Sequence, residues 1–213
     1  MTIRKGESWG ESVAVSGLGS DLVVVHRDAE AAALVCAARA TDTPVPTLGL
    51  AAGDVARTLG GGAAGRFDPT EGATVVRAPV DLLHIEAEGR TTTALAHIVA
   101  RSPRWSWWRD RVVFVMNAQF LGRYDIAPRS HPNDGKADIV QVHAGMDLRT
   151  RLQAARRART GTHVPHPQIS VQQSAAVALE FERPLALYVD GEKWCTTRRC
   201  AISVEPDAVI VHA

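Results

Sequence analysis

Cysteine is scarce in this sequence. The three present, Cys36, Cys195 and Cys200, are too few and too scattered for a disulfide framework, so a reducing compartment, the cytosol, is the expected location. Cys195 and Cys200 stand in CTTRRC and lack the CxxC knuckle of a zinc site. No run approaches the roughly 20 apolar residues that cross a bilayer as a helix, and the opening MTIRKGESWGE has no apolar stretch of signal-peptide length. A dominant charge is missing too: 24 Lys and Arg against 23 Asp and Glu leave a formal +1. A field that weak draws neither nucleic acid nor membrane in general, so nucleic acid is not an expected partner and membrane contact has to be argued locally. Aromatics are only 5% of the chain, yet 46% of its 213 residues are hydrophobic and 22% charged, which excludes disorder as the main state. A chain of this length buries roughly 70% of the surface its unfolded form exposes, enough for a core without staples.

Two regions of different grain follow. From Ser12 to about Gly65 the pattern alternates: SVAVS, the apolar DLVVV (Asp21 to Val25), the helical DAEAAALVCAARA (Asp28 to Ala40), PTLGL and GDVARTLG. Apolar runs separated by a helix predict right-handed βαβ units on a parallel sheet. The flexible GGGAAG (Gly60 to Gly65) closes that region. Beyond it, short strands are expected at Thr74 to Val76, Asp81 to Glu86, Arg111 to Met116, Asp138 to His143, Ser170 to Val177, Ala178 to Phe181, Leu185 to Val189, Cys200 to Val204 and Val209 to Val211. Their spacing suits an antiparallel sandwich or barrel. The fold class is therefore α/β plus β: a shortened parallel α/β portion over residues 1–65, then a larger antiparallel β-sandwich domain over 66–213. One helix interrupts the strands, with Asp147 as N-cap, Leu148, Leu152 and Ala155 as its apolar stripe, and Gly161 at its C-terminal end.

Several clusters carry chemistry. In VDGE, Asp190 and Glu192 flank Gly191 at the end of the strand LALYV, where a carboxylate in a cleft could take a proton from a hydroxyl. Asp-Gly there equally reads as a hairpin turn. In APRSHPNDGKAD, Asp134 and Asp138 bracket a glycine loop of the kind that suits Mg²⁺ or Ca²⁺, or simply a loop before a strand. Trp105, Trp107 and Trp108 stand among arginines in RWSWWRD, as a membrane or stacking surface or as core cover. Arg149, Arg151, Arg156, Arg157 and Arg159 on the single late helix could meet anionic lipid at about 1 kcal/mol each, or form a solvated face. His163 and His166 in HVPHP read as loop histidines, since the prolines forbid a helical two-histidine motif.

Taken in order, DLVVV, GDVARTLG, VVFVMNAQFLG (Val112 to Gly122), IAPRSHPNDGKADIV (Ile126 to Val140), LALYVDGE (Leu185 to Glu192) and the tail ISVEPDAVIV resemble the bacterial diacylglycerol and lipid kinase family, related to sphingosine and NAD kinases. The likeness covers about nine tenths of the chain, and it implies an α/β nucleotide domain and a β-sandwich domain with ATP and lipid between them. Asp190 then matches the base that deprotonates the lipid hydroxyl, with Glu192 beside it, and Asp134 matches the acidic loop that holds a structural magnesium in some members. Asp54, Ala56 and Arg57 match the end of the family's second nucleotide motif, and Asp28 the aspartate of its glycine-rich phosphate loop.

The departures are as informative. Where the resemblance implies G-G-D-G-T, this chain has His26, Arg27, Asp28, Ala29 and Glu30. Side chains at positions needing positive φ cost roughly 1–2 kcal/mol each. A Glu30 carboxylate about 5 Å from a phosphate opposes it by roughly 3 kcal/mol at an effective dielectric of 20. The second loop reads Leu50, Ala51, Ala52, Gly53 and Asp54, without hydroxyl or amide. The family's additional β/α units before the first glycine loop have no counterpart in the roughly 20 residues that precede it here. The expectation is a degenerate lipid-kinase-like protein without phosphoryl transfer and with no cofactor, binding a lipid, small ligand or protein partner. A divergent kinase using Mg²⁺ and ATP, or an accessory subunit docked on a full-length kinase, are the competing readings. The edge of DLVVV is expected to be covered by SVAVS or by a second subunit, which makes a homodimer the expected assembly.

Overall fold

The computed structural model describes residues 9–15, 22–60, 74–102 and 110–213. The tryptophan cluster at 105, 107 and 108 and most of the GGGAAG run lie outside the described residues. The order of elements is β1 (Glu11–Ala14), β2 (Val23–Val25), α1 (Asp28–Ala40), β3 (Leu48–Leu50), α2 (Asp54–Thr58), β4 (Thr74–Ala87), β5 (Arg90–Ala94), β6 (His97–Arg101), β7 (Val112–Met116), β8 (Phe120–Leu121), β9 (Tyr124–Asp125), β10 (Ala137–Val142), α3 (Leu148–Arg157), β11 (Ile169–Ser174), β12 (Ala176–Val189) and β13 (Glu192–His212).

Eleven of these strands share one sheet, whose main path is β1-β4-β13-β12-β6-β7-β10-β11, with β5 on β4 and β3 on β13. The sheet is antiparallel along that path. Parallel pairing is confined to β2 on β3 and β3 on the end of β13, so the expected parallel sheet is a fringe on the antiparallel one. SVAVS does not cover β2. It supplies most of β1, which pairs with β4 instead, from Glu11 opposite Arg77 to Ala14 opposite Thr74.

Three pairs of strands expected separately are continuous. β4 runs through Pro79, β12 through Pro184 and β13 through Pro206. Proline removes a ladder donor, and in β12 and β13 the pairing register shifts around it, between Glu180 and Leu185 and between Glu205 and Val209. The single strand expected over Ser170 to Val177 divides into β11 and the start of β12. Neither β5 nor β6 has a counterpart among the expected strands: β5, whose RTTTA is polar and small, returns from β4 as a hairpin with Ala87 opposite Arg90, and β6 lies between β12 and β7.

Alanine-rich α1 has Asp28 and Glu30 in its first turn and Arg39 in its last, charges that complement the helix dipole. Arg39 also reaches both oxygens of Glu205 on β13, at 2.7 and 3.0 Å. Its buried face, Ala31, Ala32 and Val35, joins Val25, Leu48, Leu50 and Val55 in one core with Leu82, Leu95 and Val211. Each fully buried Leu or Val adds about 1.5–3 kcal/mol. The early elements are thus fused to the sheet through a shared core. A second core lies between Leu83, Ile85, Ile98, Val113, Ile139, Leu187 and Ile202.

α3 is capped as expected. Asp147 accepts the Thr150 N–H at 3.0 Å, and Gly161 takes φ 67° after a closing 3-10 turn, Ala158–Thr160. Its facing is not as expected. Leu148 and Leu152 are 48% and 53% exposed, whereas Arg151 is buried. The reason is local: Arg151 donates to the carbonyls of Met146, His143 and Asp110 at 2.8–3.0 Å, closing the loop that leads into the helix. Burial lowers the Arg151 pKa.

Candidate functional site

Asp190 and Gly191 form the two-residue link between β12 and β13, with Val189 opposite Glu192. Both take positive φ, 45° and 86°, the pattern of a type I′ hairpin turn. The turn reading and the functional one therefore describe the same residues. The geometry aims the Asp190 carboxylate back at the start of β6, where it accepts the N–H groups of Leu95, Ala96 and His97 at 2.7, 2.9 and 2.9 Å. Asn117 steadies that segment from behind, donating to the carbonyls of Leu95 and Asp81 at 2.8 Å each. Burial raises the Asp190 carboxyl above its ordinary range, against the opposing pull of His97 and the three N–H groups.

Asp28, at the start of α1, is 7% exposed and faces the second loop. Its oxygens accept the N–H groups of Asp54 and Val55 at 2.6 and 3.2 Å, so it caps the first turn of α2. Gly53 packs so close to it that a Cβ there would meet Oδ1 at 2.6 Å. Burial, then the charges of Asp190 and Asp54, push the Asp28 carboxyl up to about 7. Asp54 in turn accepts Gly122 N–H at 2.8 Å and bonds the His97 Nε2 at 3.1 Å. Burial alone would lower the His97 imidazole, but the Asp54 bond and the charges of Asp190, Asp54 and Asp28 hold it above the ordinary value. Asp28, Asp54 and Asp190 thus meet around His97, a residue that no sequence signal marked: a single histidine ahead of an apolar strand has no neighbour of its own kind to give it away.

The other site candidates are placed differently. Arg57 donates to the Gly122 carbonyl at 2.5 Å and lies 3.9 Å over the Phe120 ring. Glu192 pairs with Arg27 at 3.1 Å, and Arg27 with Glu30 at 2.9 Å. Glu30 also folds back to accept His26 N–H at 2.9 Å, which places a carboxylate of the chain itself on the first loop. Asp134 is away from the cluster, its Oδ1 accepting Lys136 N–H at 3.0 Å. The loop around it is organised by Asp81, fully buried, which accepts the N–H groups of Gly135 and Asp207 at 2.7 and 2.9 Å. Burial pushes Asp81 up to about 6. Among the described residues no three His, Cys, Asp or Glu side chains are placed to hold a metal ion.

Beside the aspartates, an apolar cavity of about 490 Å³ lies between α3 and the sheet, lined by Val99, Phe114, Ile126, Val140, Met146 and Ala158 among others, with His97 and Gly191 at its border. Two buried histidines, His97 and His163, line it, and each has a ring Nδ1 without a hydrogen-bond partner. His163 Nε2 donates to the Ile126 carbonyl at 3.1 Å, which leaves its Nδ1 as an acceptor. Burial lowers the His163 pKa and keeps the ring neutral. Arg101 also lines the cavity, 4.2 Å over the Tyr188 ring.

A long antiparallel sheet with a fused α/β fringe, and aspartates gathered at the seam, defines a β-sandwich-like class of protein. Solved structures share this fold. A crystal structure of a "putative diacylglycerol kinase" from Bacillus anthracis str. Sterne superposes with a TM-score of 0.62 at 18% identity, covering 92% of this chain and 79% of that one. A second structure so described gives 0.61 at 18% identity, with 90% and 77% covered, and a third, of a diacylglycerol kinase from the same strain, 0.60 at 17%, with 90% and 75% covered. Comparison with curated proteins returned no match. Residues 85–213 match the YegS C-terminal NAD kinase beta sandwich-like domain, and the chain belongs to that family.

Proposed function

We propose that this chain is a lipid-kinase relative that binds a lipid or similar small amphiphile and does not transfer phosphate. The observation that carries the reading is the occupation of both nucleotide loops by the protein's own carboxylates. Glu30 accepts the His26 N–H, and Asp28 those of Asp54 and Val55. Backbone N–H groups are what a phosphate-binding loop offers its ligand. Groups already bonded to internal carboxyls are spent, and a triphosphate would have to displace them while facing the Glu30 carboxylate. The residues present therefore do not fit ATP. Phosphoryl transfer depends almost wholly on positioning and electrostatic stabilisation, so an acidic group such as Asp190 cannot compensate.

The ligand class is supported by the cavity. Its apolar walls suit an acyl chain, and the unpartnered nitrogens of His97 and His163 suit a polar group at the end of it. A specific observation favours a divergent kinase as second reading: Asp28, Asp54 and Asp190 still converge on His97 beside the cavity. Calorimetric titration separates the two. With Mg-ATP no saturable heat is expected, while a fluorescent fatty-acid probe should bind and be lost when Ala158→Trp fills the cavity. Micromolar Mg-ATP binding would sink the proposal and favour the kinase.

A further inference from the structure

The outward face of α3 is built for a partner. Leu148, Leu152 and Ala155 recur at the spacing of one helical stripe, and a stripe of this kind ordinarily faces a core. Here Leu148 and Leu152 are about half exposed, and the helix turns Arg151 inward. Val171 on β11 is also 47% exposed, two residues from the cavity-lining Ile169 and hence on the same face of the sheet. Three of the five large hydrophobic residues exposed among the described residues therefore lie on this layer.

Charge decides the occupant. Between Leu148 and Thr160 the chain has five arginines and no acidic residue, in a protein whose overall charge is +1. Arg149, Arg156, Arg157 and Arg159 are exposed. Asp147, the nearest carboxylate in sequence, is taken up by Thr150. We infer that α3 docks on an anionic phospholipid bilayer, with Leu148 and Leu152 entering the interface and the four arginines among the headgroups. The stripe ends at Ala155, which lines the apolar cavity, so apolar surface continues from the docking face to the cavity. A bilayer laid against α3 would meet that path with lipid, whereas a protein partner would close it. The inference rests on the helix and its charge, and stands whether or not the cavity takes an amphiphile or the loops take ATP.

Sedimentation of the full chain with vesicles tests it. Vesicles of three parts phosphatidylcholine to one of phosphatidylglycerol should bind, pure phosphatidylcholine should not, and added salt should release the protein. Leu148→Ser with Leu152→Ser should weaken binding by about thirtyfold, two half-exposed leucines losing roughly half their transfer energy. Arg149→Gln with Arg156→Gln should weaken it by about tenfold or more and reduce the salt dependence. All four positions are exposed, so circular dichroism and the melting temperature should stay at wild-type values. Equal binding to both vesicles, binding to neither, or wild-type affinity in the leucine variant would overturn the inference. So would a lipid-free dimer that the leucine variant dissolves, which would make this face a self-interface.

Discussion

Asp28 holds the start of α2 with both oxygens, and the same contact bears on stability against pH. Its carboxyl sits at about 7 in the fold, against about 3.9 in an unfolded chain. A raised acid binds its proton more tightly when folded. Its contribution is therefore complete below about pH 4 and is lost as pH rises to about 7, on the order of a few kcal/mol. Asp81, at about 6, and the raised Asp190 and His97 act in the same direction. Urea unfolding on either side of that window should show stability falling as pH rises, and Asp28→Asn should flatten the fall. At this scale Asp190 was legible because Asp-Gly after an apolar strand is a local pattern. His97, Asp81 and Asn117 were not, because each acts through partners far along the chain: Asn117 bonds carbonyls 36 and 22 residues away.

At the scale of elements, the two loops that define the site depend on glycine for different reasons. Gly191 needs only its positive φ, since a Cβ there would meet open space. Gly191→Ala should cost about 1 kcal/mol. Gly53 has φ 121°, and its Cβ would run into the Asp28 carboxylate. Gly53→Ala should cost clearly more, above about 2 kcal/mol, and denaturant melts of the pair should rank them so. Helix ends were readable from Asp147 and Gly161 because capping is local. The facing of α3 was not, because the stripe Leu148, Leu152 and Ala155 fits a core-facing pattern and only the loop carbonyls that Arg151 satisfies turn it outward. Strand ends were misplaced at Pro184 and Pro206 because a bulge lets a strand pass a residue that lacks a donor.

At the scale of the whole molecule, β2 leaves one edge of the sheet bare of any described strand. With β1 paired to β4, the strand Val23–Val25 bonds only β3 among the described residues, and Val23 and Val24 are each 36% exposed. Val23 donates to Thr47 and Val25 accepts from Ala51, so by the alternation of a strand Val24 turns its backbone groups to the outer edge. A second copy paired along that edge predicts a dimer in light scattering, which Val24→Pro should convert to monomer without disturbing the β2–β3 ladder. A monomer in both proteins would leave the edge to water or to a different partner, such as the full-length kinase of the accessory reading. Among the described residues no helix is long and apolar enough to cross a membrane.

The sequence by itself determined what local order can encode: apolar runs that became strands, caps that bounded α3, the Asp190–Gly191 turn, and a family likeness that survives in short ordered segments. Only the tertiary structure decided what side chains do with groups distant in sequence. It spent the loop N–H groups on Glu30 and Asp28, brought three aspartates around His97, sent SVAVS to β4 and turned two leucines to solvent. The physical reason is common to all four: a hydrogen-bond donor or an apolar surface is satisfied by whichever partner folding places nearest, and that choice is made across the chain.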